Sequence, residues 1–145
     1  MTIDQAVERV QFAYPQIYYA CHTRHERQRS SAQQLSRRDS EILVHLDRRA
    51  PMRLSALARH LDLAASTLSE AIADLVTFGY VEKTAAEGDR RAIGLKLTPK
   101  GVAAVRATSV LEAARIAAVL RRMKPADRAR AIDGLTALAE ACRQC

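Results

Sequence analysis

Aromatic residues and glycine are scarce in this 145-residue chain, which has no Trp, four Tyr, two Phe and five Gly. Alanine and leucine are abundant instead, with 27 and 15 copies. These two residue types favour helices, whereas β-sandwiches need more aromatic and β-branched side chains. The composition therefore predicts a mainly helical fold, and the length fits one domain or two small lobes that share a core.

Long apolar segments are also missing. No run of about 18 apolar residues is free of charge, which excludes a transmembrane helix. Residues 1–10 contain Asp4, Glu8 and Arg9 and lack the apolar centre of a signal peptide, so export is not expected. The three cysteines are an odd number, which argues against a disulfide scaffold. We therefore expect a cytoplasmic protein.

Acidic residues are fewer than basic ones, 16 against 23, so the formal net charge is +7. The apolar fraction of 48% is enough for a core and excludes a disordered basic tail. An excess of positive charge favours a polyanionic partner, either a nucleic acid or an anionic membrane surface. The net charge alone does not choose between them.

Proline and capping residues predict the helices at the two ends of the chain. Thr2 with Gln5 forms a capping box for a helix over residues 3–13. Pro15 is expected to begin a second helix that runs to about residue 28. Thr98 is expected to cap a long helix over residues 99–123, and Pro125 starts the last one.

The middle of the chain has the pattern of a helix-turn-helix. A helix capped by Ser36 is followed by a short apolar helix over residues 54–61, a tight junction at Asp62 and a helix from Ser66 that ends at Gly79. The outward face of this last helix is expected to contact DNA through Ala65, Ser66, Thr67, Ser69 and Glu70. An ordinary helical hairpin is the alternative interpretation.

After Gly79 the apolar period changes to two. Residues 80–83 and 93–97 predict two strands joined by a charged loop over residues 85–91. Such a hairpin directly after a helix-turn-helix makes a winged helix. Its tip carries Asp89, Arg90 and Arg91, and Lys83 lies on the first strand. An arginine side chain suits a narrow minor groove. Asp89 is expected to orient one of the two arginines through a bidentate pair. A solvated charged turn is the alternative.

At this point a family resemblance is clear. Residues 35–105 resemble the MarR family of bacterial transcriptional regulators, most specifically in the wing motif Asp89-Arg-Arg91 and in Leu97-Thr-Pro-Lys-Gly101. The resemblance implies a mainly α fold with a small β-hairpin wing, in which a winged helix-turn-helix over residues 35–98 joins a dimerisation lobe built from 1–34 and 99–145. It also implies a homodimer that binds a palindromic operator on double-stranded DNA, usually as a repressor.

The resemblance also implies roles for single residues. Arg91 is expected to enter the minor groove, with Asp89 as its orienting partner and Arg90 on phosphate. Ser66, Thr67, Ser69 and Glu70 fall where the family reads the major groove. This sequence departs from the family at Glu70, where a basic or neutral residue is commoner, and at Asp62, which replaces the usual turn glycine.

Two further sets of residues are candidate sites. Cys21 with His25 and Cys142 with Cys145 are each spaced to share a helix face. The resemblance implies that the first and last helices pack together, so the four residues form a candidate site for zinc or an iron–sulfur cluster. Core packing and a redox response are the alternatives. Tyr14, Tyr18 and Tyr19 are candidates for a small-molecule effector pocket or for dimer packing. His45 and His60 are expected to be structural.

Motifs of enzymes are missing. The chain has no glycine-rich phosphate loop, nucleophile elbow or His-Glu-x-x-His pattern, so we do not expect an enzyme. The alternative function is a winged-helix protein-interaction module that does not bind specific DNA. The sequence leaves open the operator, the regulated genes and whether the protein represses or activates them. It also leaves open the effector, for which a metal, an iron–sulfur cluster, an oxidant and a small ligand are the alternatives. No cofactor is assigned, and no membrane partner is expected.

Overall fold

The computed structural model describes residues 1–23, 35–86 and 88–143. Within these ranges the chain is mainly helical with one small antiparallel sheet, as the sequence predicted. The elements are α1 (Ile3–Cys21), α2 (Arg37–Val44), β1 (Met52–Arg53), α3 (Leu54–His60), α4 (Ala65–Thr77), β2 (Val81–Ala86), β3 (Asp89–Leu97), α5 (Pro99–Ala107), α6 (Ala113–Arg121) and α7 (Pro125–Cys142).

The described residues fall into two compact units. One contains those of Met1–Glu26 with Ser109–Ala137, and the other contains those of Arg27–Thr108 with Leu138–Cys145. Across the described ranges, no helix has both the length and the apolar character needed to cross a lipid bilayer.

The core of the second unit is formed by the apolar faces of α2, α3, α4 and the sheet. The apolar residues of these elements recur at helical spacing, so each helix buries one stripe. The largest fully buried side chains are Ile42, Leu43, Leu57, Leu68, Ile72, Leu75 and Leu95. Burial of each contributes about 1.5–3 kcal/mol, which holds α4 against the rest of the unit.

Two residues with positive φ end the helices around α4. Asp62, which follows α3, has a φ of 52°, as the sequence predicted for the tight junction. Gly79, just beyond α4, has a φ of 83°. This left-handed conformation suits glycine because it has no Cβ. Asp62 therefore ends the first helix of the helix-turn-helix, and Gly79 ends the second.

The sheet has the strand order β1-β3-β2, with both pairings antiparallel. The β2–β3 hairpin is longer than the sequence predicted, because Ala86 pairs with Asp89 at the turn that joins the strands. Gly88 in that turn has a φ of 78°, which a glycine adopts without strain. The predicted loop over 85–91 was therefore too wide, because Ala85, Ala86 and Asp89 pair within the hairpin. The register shifts between the Ala85–Ile93 and Ala86–Asp89 pairs, so Arg90 and Arg91 lie in an irregular stretch of β3.

The break predicted at Pro15 is absent, since α1 continues through this proline to Cys21. A proline within a helix leaves the carbonyl four residues earlier without its donor. That carbonyl belongs to Gln11, an exposed residue that water can reach. The second helix was predicted to run to about residue 28, but the helix ends before His22, whose backbone has the ψ of a strand, 150°. Residues 24–28 lie outside the described ranges.

The long helix predicted over residues 99–123 is also wrong, because it is interrupted between α5 and α6. In the interruption the chain is extended and pairs with the end of α1: Thr23 donates to the carbonyl of Val110 at 2.8 Å, and Glu112 donates to that of Cys21 at 2.7 Å. Thr108 and Val110 are β-branched, which weakens a helix here. The pairing with a distant segment then satisfies the backbone.

Candidate nucleic-acid interface

Helix α4 presents the residues predicted to read DNA. Leu68 and Ile72 on its inner face are fully buried, so the opposite face is turned to solvent. The predicted contact residues begin at the first turn, where Thr67 is half-buried and the others are exposed: Ala65, Ser66, Ser69 and Glu70. The helix starts at Ala65, one residue before the predicted Ser66.

The N-terminus of α4 has no side-chain cap. Its N-cap is Ala64, which offers no oxygen to the free N–H groups of the first turn. The positive end of the helix dipole lies there as well, beside the hydroxyls of Ser66 and Thr67. N–H groups and hydroxyls in this arrangement are suited to a phosphate oxygen.

The wing carries its two arginines at the start of β3 rather than in a loop. Arg90 and Arg91 are both exposed. Asp89 Oδ1 accepts a hydrogen bond from the backbone N–H of Arg91 at 2.9 Å, in place of the predicted bidentate pair with a guanidinium. Asp89 therefore shapes the backbone of the tip, and no ion pair joins either arginine to another described residue.

Lys83 lies on the other strand of the wing. It is exposed and pairs with Leu95 in the hairpin register. A lysine ammonium at such a position is a mobile point charge, suited to phosphate rather than to a base edge.

The base of the wing is bonded to the end of α4 by residues of the Thr-Pro-Lys-Gly motif, a contact that the sequence did not predict. Thr98 Oγ1 donates to the carbonyl of Gly79 at 2.5 Å and accepts from the N–H of Gly101 at 3.0 Å. Lys100 Nζ donates to the carbonyl of Phe78 at 2.7 Å and lies 4.4 Å from the centre of the Tyr80 ring. The Thr-Pro-Lys-Gly motif predicts the start of a helix from neighbouring residues alone. Its contacts with the end of α4 depend on the folded chain, which brings these distant residues together.

Asp47 is a further residue that the sequence did not single out. Its carbonyl accepts from the N–H of Leu97 at 2.8 Å, and its carboxylate accepts from the N–H of Arg49 at 2.7 Å. The guanidinium of Arg143 lies 3.4 Å from the same carboxylate. The hydrogen bond from Arg49 and the charge of Arg143 hold the pKa of Asp47 below its ordinary value, against a smaller opposing effect of burial.

The candidate metal residues are only partly described. Cys21 is buried at the end of α1, and Cys142 is exposed at the end of α7. His25 and Cys145 lie outside the described residues. Among the residues that are described, no three His, Cys, Asp or Glu side chains come together as a metal site. The four-residue site therefore stays a prediction.

The three tyrosines of the predicted effector pocket are neighbours along α1, where Tyr18 stacks on Tyr14 and meets Tyr19 edge to face. Tyr18 lies at the centre, with ring centroids 6.4 Å from Tyr14, 5.6 Å from Tyr19 and 5.3 Å from His22. Tyr14 and Tyr19 are 60% and 70% exposed. These rings offer an aromatic surface, which suits either a planar ligand or a partner helix.

Comparison with known proteins supports the winged-helix assignment. Residues 35–101 match the family described as Winged helix DNA-binding domain. No curated protein matches the chain significantly.

Solved structures with the same fold include Streptococcus pneumoniae FabT in complex with DNA, at 19% identity, 99% coverage of both chains and a TM-score of 0.54. Wild-type MarR from E. coli in its apo form shares 15% identity, with 95% of this chain and 97% of that chain covered and a TM-score of 0.53. An S. aureus MepR mutant bound to an oligodeoxyribonucleotide shares 13% identity, with 97% and 98% covered and a TM-score of 0.52.

These matches agree with the geometry of α4 and the wing. The domain match covers α2, α3, α4, the sheet and the start of α5. The structural likeness extends along nearly the whole chain. The predicted resemblance is thereby confirmed at the level of the fold: residues 35–101 match a winged-helix DNA-binding domain, and the chain has the same fold as MarR from E. coli.

Proposed function

We propose that this protein is a transcriptional regulator, acting as a repressor, that binds a palindromic operator as a homodimer. The observation that carries the proposal is the winged-helix domain, with an exposed polar face on α4 and two exposed arginines on the wing. In this proposal α4 enters the major groove and Arg91 the minor groove. The solved complexes of FabT with DNA and of MepR with an oligodeoxyribonucleotide show that this fold accommodates DNA.

The contacts in the major groove would come from the first two turns of α4. Ser66 and Thr67 bond phosphate or base edges, while Glu70 accepts from the amino group of a cytosine. Glu70 also repels phosphate, so it favours a base contact over a backbone one. Lys83 and Arg90 supply phosphate contacts, which set the register on the duplex without reading sequence.

Homodimer formation is proposed from the apolar surface of α1. Only Cys21 is buried along this 19-residue helix, whereas Ile3, Val7, Val10 and Ile17 are 46–79% exposed. A contiguous apolar surface of this kind is typical of a subunit interface. A second copy with the same surface would cover it in a two-fold arrangement, which matches a palindromic DNA site.

Selection of genomic fragments with the purified protein tests the proposal. Enrichment of one palindrome at physiological salt is expected, and the enriched fragment then serves as the operator. If no fragment is enriched, the alternative of a winged-helix module that binds another protein is favoured instead.

Arg91→Ala tests the wing contact on that operator. An arginine in the minor groove contributes both charge and fit, so we expect the affinity at fixed salt to fall by about 100-fold while the dimer remains.

Lost phosphate contacts, as in Arg90→Ala, should reduce the slope of log affinity against log salt by about one per contact.

Arg106→Ala is the matched control, because it removes the same charge from the exposed end of α5. Its affinity should stay within about twofold of wild type. Equal affinities for wild type and Arg91→Ala would contradict the wing assignment.

A further inference from the structure

Two histidines from different helices meet in the second unit. His45 is the C-cap of α2 and His60 is the last residue of α3. Their ring centroids are 4.7 Å apart and their planes cross at 62°. His60 is exposed and His45 half-buried, so both rings are open to ions from solvent.

The hydrogen bond of His45 decides which of its nitrogens is free. Nδ1 lies 2.6 Å from the backbone carbonyl of Glu41, and a carbonyl oxygen can only accept. Nδ1 therefore carries the proton, and the lone pair of the neutral ring is on Nε2. Histidines that bind metals usually have this arrangement, in which the second nitrogen donates to a carbonyl or carboxylate.

The separation of the two rings fits coordination of a single ion. With metal–nitrogen bonds of about 2.0–2.1 Å, two imidazoles on one tetrahedral ion have ring centroids about 5 Å apart. The observed 4.7 Å is close to this value. The two rings are therefore close enough together to share one ion.

The surrounding backbone also favours a cation. Both histidines are at helix C-termini, where the free carbonyls form the negative end of the helix dipole. The two helices are held in place by buried side chains, among them Leu43 on α2 and Leu57 on α3. Core packing thus fixes the backbone segments that carry the two histidines.

We propose that His45 and His60 bind a late first-row divalent cation such as Zn²⁺, with water in the remaining positions. Imidazole nitrogen is a preferred ligand for Zn²⁺, Ni²⁺ and Cu²⁺. In the described part of the chain no third His, Cys, Asp or Glu joins this pair. The site is therefore open and exchangeable, and it shares no residue with the predicted set of Cys21, His25, Cys142 and Cys145.

Thermal unfolding of the untagged protein with added zinc chloride tests the site. The background variant carries Cys142→Ser and Cys145→Ser, which removes thiol ligands from the chain end. At saturating zinc the Tm should rise by about 3–6 °C, because an ion bound only to the folded state stabilises it. His60→Gln should abolish the rise.

His45→Asn is a second variant that separates metal binding from folding. The Asn side-chain amide can donate to the Glu41 carbonyl much as Nδ1 does, but it has no counterpart of Nε2. Its Tm without zinc should therefore stay close to that of the background protein, while the rise with zinc is lost.

His22→Gln is the matched control, since His22 lies at the end of α1 and not in the pair. This variant should keep the zinc-induced rise. NMR spectra should show zinc-dependent shifts of the His45 and His60 ring protons. Absence of any rise in the background protein, or a rise that persists in His60→Gln, would overturn the proposal.

Discussion

At the scale of single residues, Asp47 shows how one carboxylate joins several parts of the second unit. Its pKa is lowered in the folded protein by the N–H of Arg49 and the guanidinium of Arg143. A lowered pKa means that the stabilisation is present above the unfolded pKa of about 3.9 and is lost as pH falls through the lower folded value.

Asp47→Asn should therefore destabilise the protein at pH 7 by about 1 kcal/mol, since the carboxylate is partly exposed and screened. The difference from wild type should shrink as pH falls below about 3.9, because the unfolded wild-type carboxylate becomes protonated there and the folded one at a lower pH. Chemical unfolding of both proteins at pH 7 and at pH 3 measures this difference in the free energy of unfolding. Asp133→Asn, on the exposed surface of α7, should have no comparable effect.

At the scale of elements, the connection of β3 to α5 holds the wing at the end of α4. Thr98 is both the N-cap of α5 and a hydrogen-bond donor to Gly79, so one hydroxyl satisfies two backbone groups. Gly101 permits the close approach, because a Cβ there would overlap the carbonyl oxygen of Tyr80. The position of the wing relative to α4 thus depends on a few specific contacts.

Thr98→Val tests this connection with a side chain of nearly the same shape. The loss of the cap and of the bond to Gly79 should reduce the free energy of unfolding by about 1–2 kcal/mol. Thr136→Val removes a threonine hydroxyl from exposed α7, where it donates to the carbonyl of Ile132 in its own helix at 2.8 Å, and should cost far less. Equal losses in denaturant unfolding at one protein concentration would contradict the assigned role.

At the scale of the whole molecule, the net charge of +7 is not concentrated where DNA is expected to bind. Residues 36–100 hold 11 basic and 9 acidic side chains, so this region is nearly neutral. Specific binding must then come from where a few side chains are placed, chiefly on α4 and the wing. The remaining positive charge favours salt-sensitive, non-specific affinity for DNA.

The proposed dimer is also a property of the whole molecule. Val7→Glu places a charge on the exposed apolar surface of α1, where desolvating it in an interface is costly. We expect the dimer dissociation constant, measured by analytical ultracentrifugation, to rise by about 100-fold or more. Gln16→Glu, at an exposed polar position of the same helix, should change it little. A wild-type protein that is monomeric at micromolar concentration would refute the proposed dimer.

Local patterns determined much of this protein. The apolar period, Asp62 and Gly79 are short-range signals, so they predicted the helix-turn-helix and its turns from neighbouring residues alone. The change to a period of two predicted the wing. The register of the hairpin was not predictable in this way, since its exposed charged residues show no alternation of apolar and polar side chains. The continuation of α1 through Pro15 was not predictable either, since a proline can be tolerated within a helix.

The tertiary structure alone decided the contacts between residues far apart in the chain. The break between α5 and α6 follows from pairing with the end of α1, although the sequence there is consistent with one long helix. The bond from Thr98 to Gly79, the pairing of Arg143 with Asp47 and the meeting of His45 with His60 likewise join separate elements. Such contacts depend on how buried faces pack, which no local period encodes.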